Sequence, residues 1–315
     1  MSTNITLASG VDRIHLVRHI SWAIYKLIGS QLWGLYNLVK NKNILVKSSN
    51  VKFKITIKSG AHGLRLGYYP EKKGAKLADL IICKTKINMG YFKLCLYPGH
   101  FPPQEYEVHF AELENLMAVF LPVSYAEMYE HAKVSYIELA SDNGSQKMGT
   151  FLVSRPKVVQ SSRFLEKDGS LGTHYLGAKN GVRRDRIYDK NRQMAKIGKS
   201  RLGTWTRFEV SIRNTGLHVW ELGEKLGNPF LSMHVADLAK AYSFTNDVVL
   251  LNFLKYSESV GTATALKHQM PKYKVAARKL LKLARATWWK PVSVGKFLQT
   301  AFEQFTPQPS SYVLV

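Results

Sequence analysis

Acidic residues are scarce in this chain of 315 residues: 22 Asp plus Glu stand against 45 Lys plus Arg, a formal net charge of +23 with a pI near 9.9. That imbalance disfavours basic partners and favours polyanions. Cysteine is scarcer still. Cys83 and Cys95 are too few for a four-thiolate zinc site or a disulfide framework, so a reducing compartment is expected. No charged, apolar and small-residue leader pattern is read near Met1, so no export and a cytoplasmic location are expected. The nearest thing to a membrane span, Ile20 to Val39, is interrupted by Lys26, Gln31 and Asn37. It reads instead as an amphipathic helix with Ile20, Ile24, Leu27, Ile28, Leu32 and Leu35 on one stripe, and no membrane insertion is expected. Phosphate-loop, GxSxG, HExxH and CxxC motifs are all missing, which excludes ATP hydrolysis by this chain and the common hydrolase classes. None of the ten histidines is separated from another by a single residue, so a His-hydrophobic-His metal pair is excluded too.

What the chain has is enough apolar material, 45% with 11% aromatic, to build a packed core. Val51, Phe53, Ile55 and Ile57 alternate with Lys52, Lys54, Thr56 and Lys58, the period of a strand with one cationic face. Leu80–Ile87 and Tyr91–Tyr97 flank Asn88-Met89-Gly90 and predict a hairpin. Residues from Ala111 to Ala132 follow a helical period broken at Pro122. Strands are predicted again over Val134–Ser141, Thr150–Ser154, His174–Leu176, Arg186–Asp189 and Arg207–Ile212, and helices beyond Glu221. The expected class is α+β: a central, mainly antiparallel sheet with flanking helices and a helical C-terminal region. The expected divisions are 1–50, a helical segment; 51–222, a sheet-based domain; and 223–315, a helical basic region.

The longest acid-free stretch, Ser259 to Phe302, holds nine Lys or Arg. Within it, Val275–Trp289 predicts an amphipathic helix with Leu280, Leu283, Ala284, Thr287 and Trp288 on one side and Arg278, Lys282 and Arg285 on another. Such a face suits phosphates, which release counterions when neutralised; DNA, single-stranded or supercoiled duplex, is the expected partner.

Alternation locates candidate chemistry. Ile137 and Leu139 share one face, so Glu138 points to the other, with Asp142 further along the same segment. Phe208, Val210 and Ile212 leave Arg207, Glu209, Ser211 and Arg213 opposite. Ile187 leaves Arg186, Tyr188 and Lys190 together. In one sheet these residues would share an open face of carboxylates, a phenol and cations. This set matches what phosphodiester transesterification to a protein hydroxyl needs: hard oxygens for Mg or Mn, a phenol oxygen to attack phosphorus, and cations to stabilise the charge that develops. Packing of Tyr188 on a surface and salt bridges for the two Glu remain open as structural alternatives.

Gly172-Thr173-His174-Tyr175-Leu176-Gly177-Ala178-Lys179 followed by Arg186-Ile187-Tyr188-Asp189-Lys190 resembles the signature of the replication initiation factor family. These are Rep-trans type rolling-circle initiators of plasmids and phages, with related conjugative relaxases. Tyr136-Ile137-Glu138-Leu139-Ala140-Ser141-Asp142 upstream and Trp205-Thr206-Arg207-Phe208-Glu209-Val210-Ser211-Ile212-Arg213 downstream match in order and spacing. The resemblance covers Val134 to Asn214. It implies a metal-dependent enzyme that nicks and recloses one strand at an origin, with Tyr188 as the nucleophile joined to the 5′ phosphate. Arg186 and Lys190 would assist Tyr188, and Glu138, Glu209 and Asp142 would hold a divalent metal, Mg or Mn. Arg207 and Arg213 would contact DNA, together with Arg278, Lys282 and Arg285 of the basic C-terminal face. Tyr136 and Glu138 depart from the family's usual Arg and Asp. His174 is a candidate helper, and Tyr175, alternating to the face opposite His174, a weaker rival to Tyr188. A host helicase would have to unwind the DNA, and a homodimer stays open. A relaxase with the same chemistry and a non-catalytic nucleic-acid binder are the alternatives. The enzyme reading requires Glu138, Tyr188 and Glu209 on one face.

Overall fold

The computed structural model describes residues 6–40, 45–48, 51–60, 63–70, 76–84, 89–199 and 202–307. The chain forms two compact units, each assembled from segments distant in sequence. One comprises Leu139–Ile212, Gly227–Leu298 and Met1–Gly10; the other comprises Val11–Glu138, Arg213–Leu226 and Gln299–Val315. These borders lie elsewhere than the expected divisions at 50 and 222, because each unit is completed by segments distant in sequence.

The second unit begins within β1 (Thr6–Ile20), from Val11 on, followed by α1 (Trp22–Lys40), β2 (Leu45–Ser48), β3 (Val51–Gly60), β4 (Gly63–Pro70), β5 (Ala78–Lys84) and β6 (Gly90–Leu96). The strands run in the order β2-β3-β4-β5-β6-β1. All the pairings from β2 to β1 are antiparallel. The predicted hairpin is β5–β6, with Leu80 opposite Leu94 and Ile82 opposite Phe92, and these four side chains are buried. The predicted Lys-rich strand is β3; its side chains lie outside the described ones. Two expectations change here. The segment before α1 is a strand rather than helix, with Ile14 and Leu16 buried at a spacing of two. On α1, Ile28 is buried but Leu27 is 48% exposed, so the buried stripe is narrower than read.

Next come α2 (Pro103–Phe120) and α3 (Tyr125–His131). Tyr106, Phe110, Leu113 and Met117 recur at helical spacing and are all buried. Pro103 starts α2 where a missing N–H costs nothing. Ser124 restarts the helix as α3 through a capping box with Glu127.

β7 (Lys133–Asn143) leads into the first unit, where the sheet order is β7-β12-β11-β10-β9. Its other strands are β8 (Phe151–Ser154), β9 (Ser161–Leu165), β10 (Leu171–Leu176), β11 (Arg183–Asp189), β12 (Thr206–Arg213) and β13 (His234–Asp237). β8 and β13 form a separate pair. The helices are α4 (Lys190–Ala195), α5 (Leu238–Ser243), α6 (Val248–Val260), α7 (Thr262–His268), α8 (Pro271–Leu283) and α9 (Pro291–Glu303). The architecture is α+β, as expected.

One face of the β9–β12 sheet carries Ile187, Phe208 and Val210, none of them accessible to solvent. Phe208 packs against Trp289, ring centroids 4.5 Å apart, and Phe151. Leu152, Phe253, Leu254, Ala277, Leu280 and Leu281 continue this core among the helices. The predicted helix over Val275–Trp289 is shorter and starts earlier. α8 ends at Leu283, after which the Ala284 carbonyl accepts from Asp237 N–H at 2.8 Å and Ala286 N–H donates to Val235 O at 2.9 Å. Once paired to β13, Arg285 and Ala286 cannot continue a helix. Leu283, expected on the packing side, is 62% exposed, and Leu281 takes its place. Among the described residues no helix is long and apolar enough to cross a membrane.

Candidate active site

Register decides which side chains meet. Across β11 and β12, Arg186 lies opposite Glu209, Tyr188 opposite Arg207 and Arg184 opposite Ser211. Directly paired residues point to the same face of a sheet, so the predicted polar face exists as one surface. Gly177 follows β10 and opens the turn to β11: its φ of +90° suits glycine, and a Cβ there would stand 2.9 Å from the carbonyl of Arg183, which starts β11. The glycine of the signature is thus accounted for by the turn.

Arg186 places its guanidinium 2.6 Å from the Glu209 carboxylate. Tyr188 donates its hydroxyl hydrogen to Glu209 Oε2 at 3.2 Å. The Arg186 guanidinium carbon also sits 4.4 Å from the centre of the Tyr188 ring, and Lys190 Nζ 5.8 Å from it. Lys190 opens α4 and donates to Gln193 at 2.7 Å. A cavity of about 360 Å³ lies beside this end of β11, lined by Asp189, Asn191, Arg192, Trp205 and Thr206 among others.

The polar face is not open. Glu209 is 1% exposed and Tyr188 5%, and Arg207 is buried as well. Charges removed from water persist only when paired. Arg207 accordingly forms a two-pronged pair with Asp142, Nε to Oδ1 at 2.6 Å and Nη2 to Oδ2 at 2.8 Å. Both Asp142 oxygens are therefore engaged by a cation, and Arg207 presents little surface to solvent. Glu138 belongs to the second unit; it is buried, with Arg13 Nε 3.6 Å from its carboxylate. Arg213 closes β12 and is exposed. Arg278, Lys282 and Arg285 are exposed, the first two on α8 and the third beyond it.

His174 and Tyr175 exchange the roles expected of them. His174 pairs with Ile187 and so faces the apolar core. It is 4% exposed, and burial together with Arg163 lowers its pKa to about 3, which keeps the ring neutral. Tyr175 pairs with Arg186 and Thr173 with Tyr188, which puts Tyr175 on the Tyr188 face. Arg184 stacks on the Tyr175 ring at 3.8 Å, and Phe164 meets its edge. β9, which brings Phe164, escaped notice because Ser161–Leu165 has no alternation long enough to read.

Mg takes one or two carboxylates and completes its shell with water and phosphate oxygens, so Glu209 has the right donor chemistry, as does Glu138 within its own unit. Among the described residues no group of three or more His, Cys, Asp or Glu forms a ready-made metal cage.

No family model and no curated protein matches this sequence. A solved structure of a rolling circle replication initiator protein from Geobacillus stearothermophilus is similar to the chain with a TM-score of 0.40 and 12% identity. That likeness spans 81% of this chain and 98% of that one.

Proposed function

We propose that this protein is a rolling-circle replication initiator that nicks one DNA strand through Tyr188 and recloses it. The observation that carries this reading is the hydroxyl of Tyr188 bonded to a carboxylate that Arg186 also holds. That is a nucleophile, a proton acceptor and a cation within one cross-strand group, on residues of the signature motif.

In the proposed step the Tyr188 oxygen attacks the scissile phosphorus while its proton passes to Glu209. A carboxylate within hydrogen-bond reach is suitably placed for that transfer, and such positioned groups contribute about 10²–10⁴-fold in rate. Arg186 and Lys190, beside the ring, lower the cost of the phenolate and of the charge on phosphorus. The phosphorus–O3′ bond breaks, the proton returns from Glu209 to the departing O3′, and the products are a 5′-phosphotyrosine and a free 3′-hydroxyl. Reversal of these steps recloses the strand. A bound Mg or Mn would withdraw charge from the phosphate, and Glu209, beside Tyr188, is the residue that would hold it. Asp142, bound through both oxygens to Arg207, and Glu138, in the other unit, are not counted with it.

The test is incubation with supercoiled plasmid carrying a candidate origin and a divalent metal. Relaxation with a denaturant-resistant adduct mapped to Tyr188 is expected, and Tyr188→Phe should abolish both while still binding DNA. Full nicking by that variant, or an adduct on Tyr175, would overturn the assignment.

A further inference from the structure

A cleft of about 600 Å³ opens in the first unit between the Ser154–Val159 segment, β13, α7 and α8, and shares no lining residue with the Tyr188 site. Cations come to it from separate elements: Lys157 from the turn after β8, Lys267 from α7, Lys274, Arg278 and Lys282 from α8, and Arg285 beyond. No Asp or Glu lines it, and none of these six cations forms an ion pair among the described residues. Arg155, also on the wall, is by contrast held by Asp185 at 2.6 Å. Lys157 has a φ of +62°, a left-handed conformation that a residue with a side chain adopts at a cost.

A merely solvated charged helix would spread its cations toward water. Here elements remote in sequence converge on one concavity without a counter-charge, which gives it a positive field that draws in anions. The floor is of another kind. Val158, Val235, Ala263, Leu266 and Leu281 make it aliphatic, which a sugar-phosphate chain alone would leave unfilled. Volumes of about 300–1,000 Å³ suit small flat ligands. Six cations also outnumber the charges on a mononucleotide, whereas a strand brings a phosphate on each side of every base.

We propose that this cleft captures an unpaired nucleotide of a DNA strand, its base on the aliphatic floor and the flanking phosphates on the six cations. That the strand is DNA rests on the nicking reading; the cleft's preference for a base between phosphates does not. An already unpaired base enters such a pocket without the cost of unstacking a duplex.

The experiment is fluorescence anisotropy in excess chelator, where no strand is cut, with a labelled oligothymidylate and a base-free sugar-phosphate oligomer of equal length. The full chain should bind the first at least about tenfold tighter. Val158→Asn, a neutral change on the aliphatic floor, should erase that difference, whereas Lys267→Ala should weaken both oligomers alike. Equal affinity for the two oligomers, an unchanged ratio in Val158→Asn, or displacement by free thymidine monophosphate at oligomer-like concentrations would each overturn the proposal. Because binding alone is read, loss of nicking in a Tyr188 variant leaves the outcome intact.

Discussion

Tyr188 reaches Glu209 diagonally: the register sets Tyr188 against Arg207 and Glu209 against Arg186, yet the phenol hydrogen goes to Glu209 Oε2, 3.2 Å away. One carboxylate therefore serves both a phenol and a guanidinium, and its charge is what each partner needs. Glu209→Gln keeps the shape and removes the charge. Single-turnover nicking should fall by about 10²–10⁴-fold. Stability should fall by about 1–3 kcal/mol in denaturant melts, since Arg186 loses its ionic partner. Wild-type cleavage by Glu209→Gln would remove Glu209 from the proposed step.

The Asp142–Arg207 pair behaves differently, because both members are buried and joined by a two-pronged ion pair. Asp142→Asn should destabilise the protein by about 3–5 kcal/mol by leaving a buried guanidinium uncompensated. A double replacement, Asp142→Leu with Arg207→Met, should recover much of that loss, since an apolar pair of similar volume pays no desolvation. Urea unfolding of both singles and the double closes the cycle. A cost below about 0.5 kcal/mol for Asp142→Asn would return Arg207 to the set of DNA contacts.

The sheet and the co-facing of Arg186, Tyr188 and Glu209 were legible in the sequence because strand alternation has a fixed period, and Ile187, Phe208 and Val210 mark the buried side unambiguously. Burial of the polar face was not legible. Period-two patterns tell which residues share a face, but nothing about whether that face meets water, and paired charges such as Asp142 and Arg207 look like solvated ones until partners are placed. Tyr175 and His174 show the same limit at finer scale: adjacent residues must point oppositely, yet which one joins Tyr188 depends on the β10–β11 register. The end of α8 was misread because Arg285 and Ala286 continue the helical charge pattern, while β13, about fifty residues earlier, captures their backbone.

His174 makes stability depend on pH with a definite sign. Its pKa in the folded protein is lowered to about 3 from an ordinary 6.5, so the unfolded chain binds a proton over a range where the native ring does not. The stabilising contribution is complete above pH 6.5 and is lost as pH falls toward 3, at about 1.4 kcal/mol per pH unit. His174→Gln, which cannot titrate, should therefore show a shallower loss of stability than wild type between pH 6 and 4. Denaturant midpoints for both proteins across that interval measure the difference, and parallel profiles would mean the ring is protonated in place.

The cations of α8 carry the last expectation. Arg278, Lys282 and Arg285 are exposed on one wall of a cleft without carboxylates, and each phosphate they neutralise releases counterions from DNA. For duplex, log K should fall with log salt by about 0.9 per contact, and for single strands by about 0.7. Replacing all three by Ala should thus flatten the duplex slope by up to about 3 units. The single-strand slope should flatten by about 2 if the same side chains grip an unpaired strand. Solvated charges that merely attract at long range would lower affinity at low salt and leave the contact count, and so the slope, nearly unchanged. Titrations over a salt series on origin, scrambled and single-stranded DNA separate these outcomes. An equal loss on origin and scrambled duplex signals phosphate contact, and a larger loss on the origin signals base reading. A slope that does not move would place the affinity elsewhere, with the lysines of β3 next to be replaced.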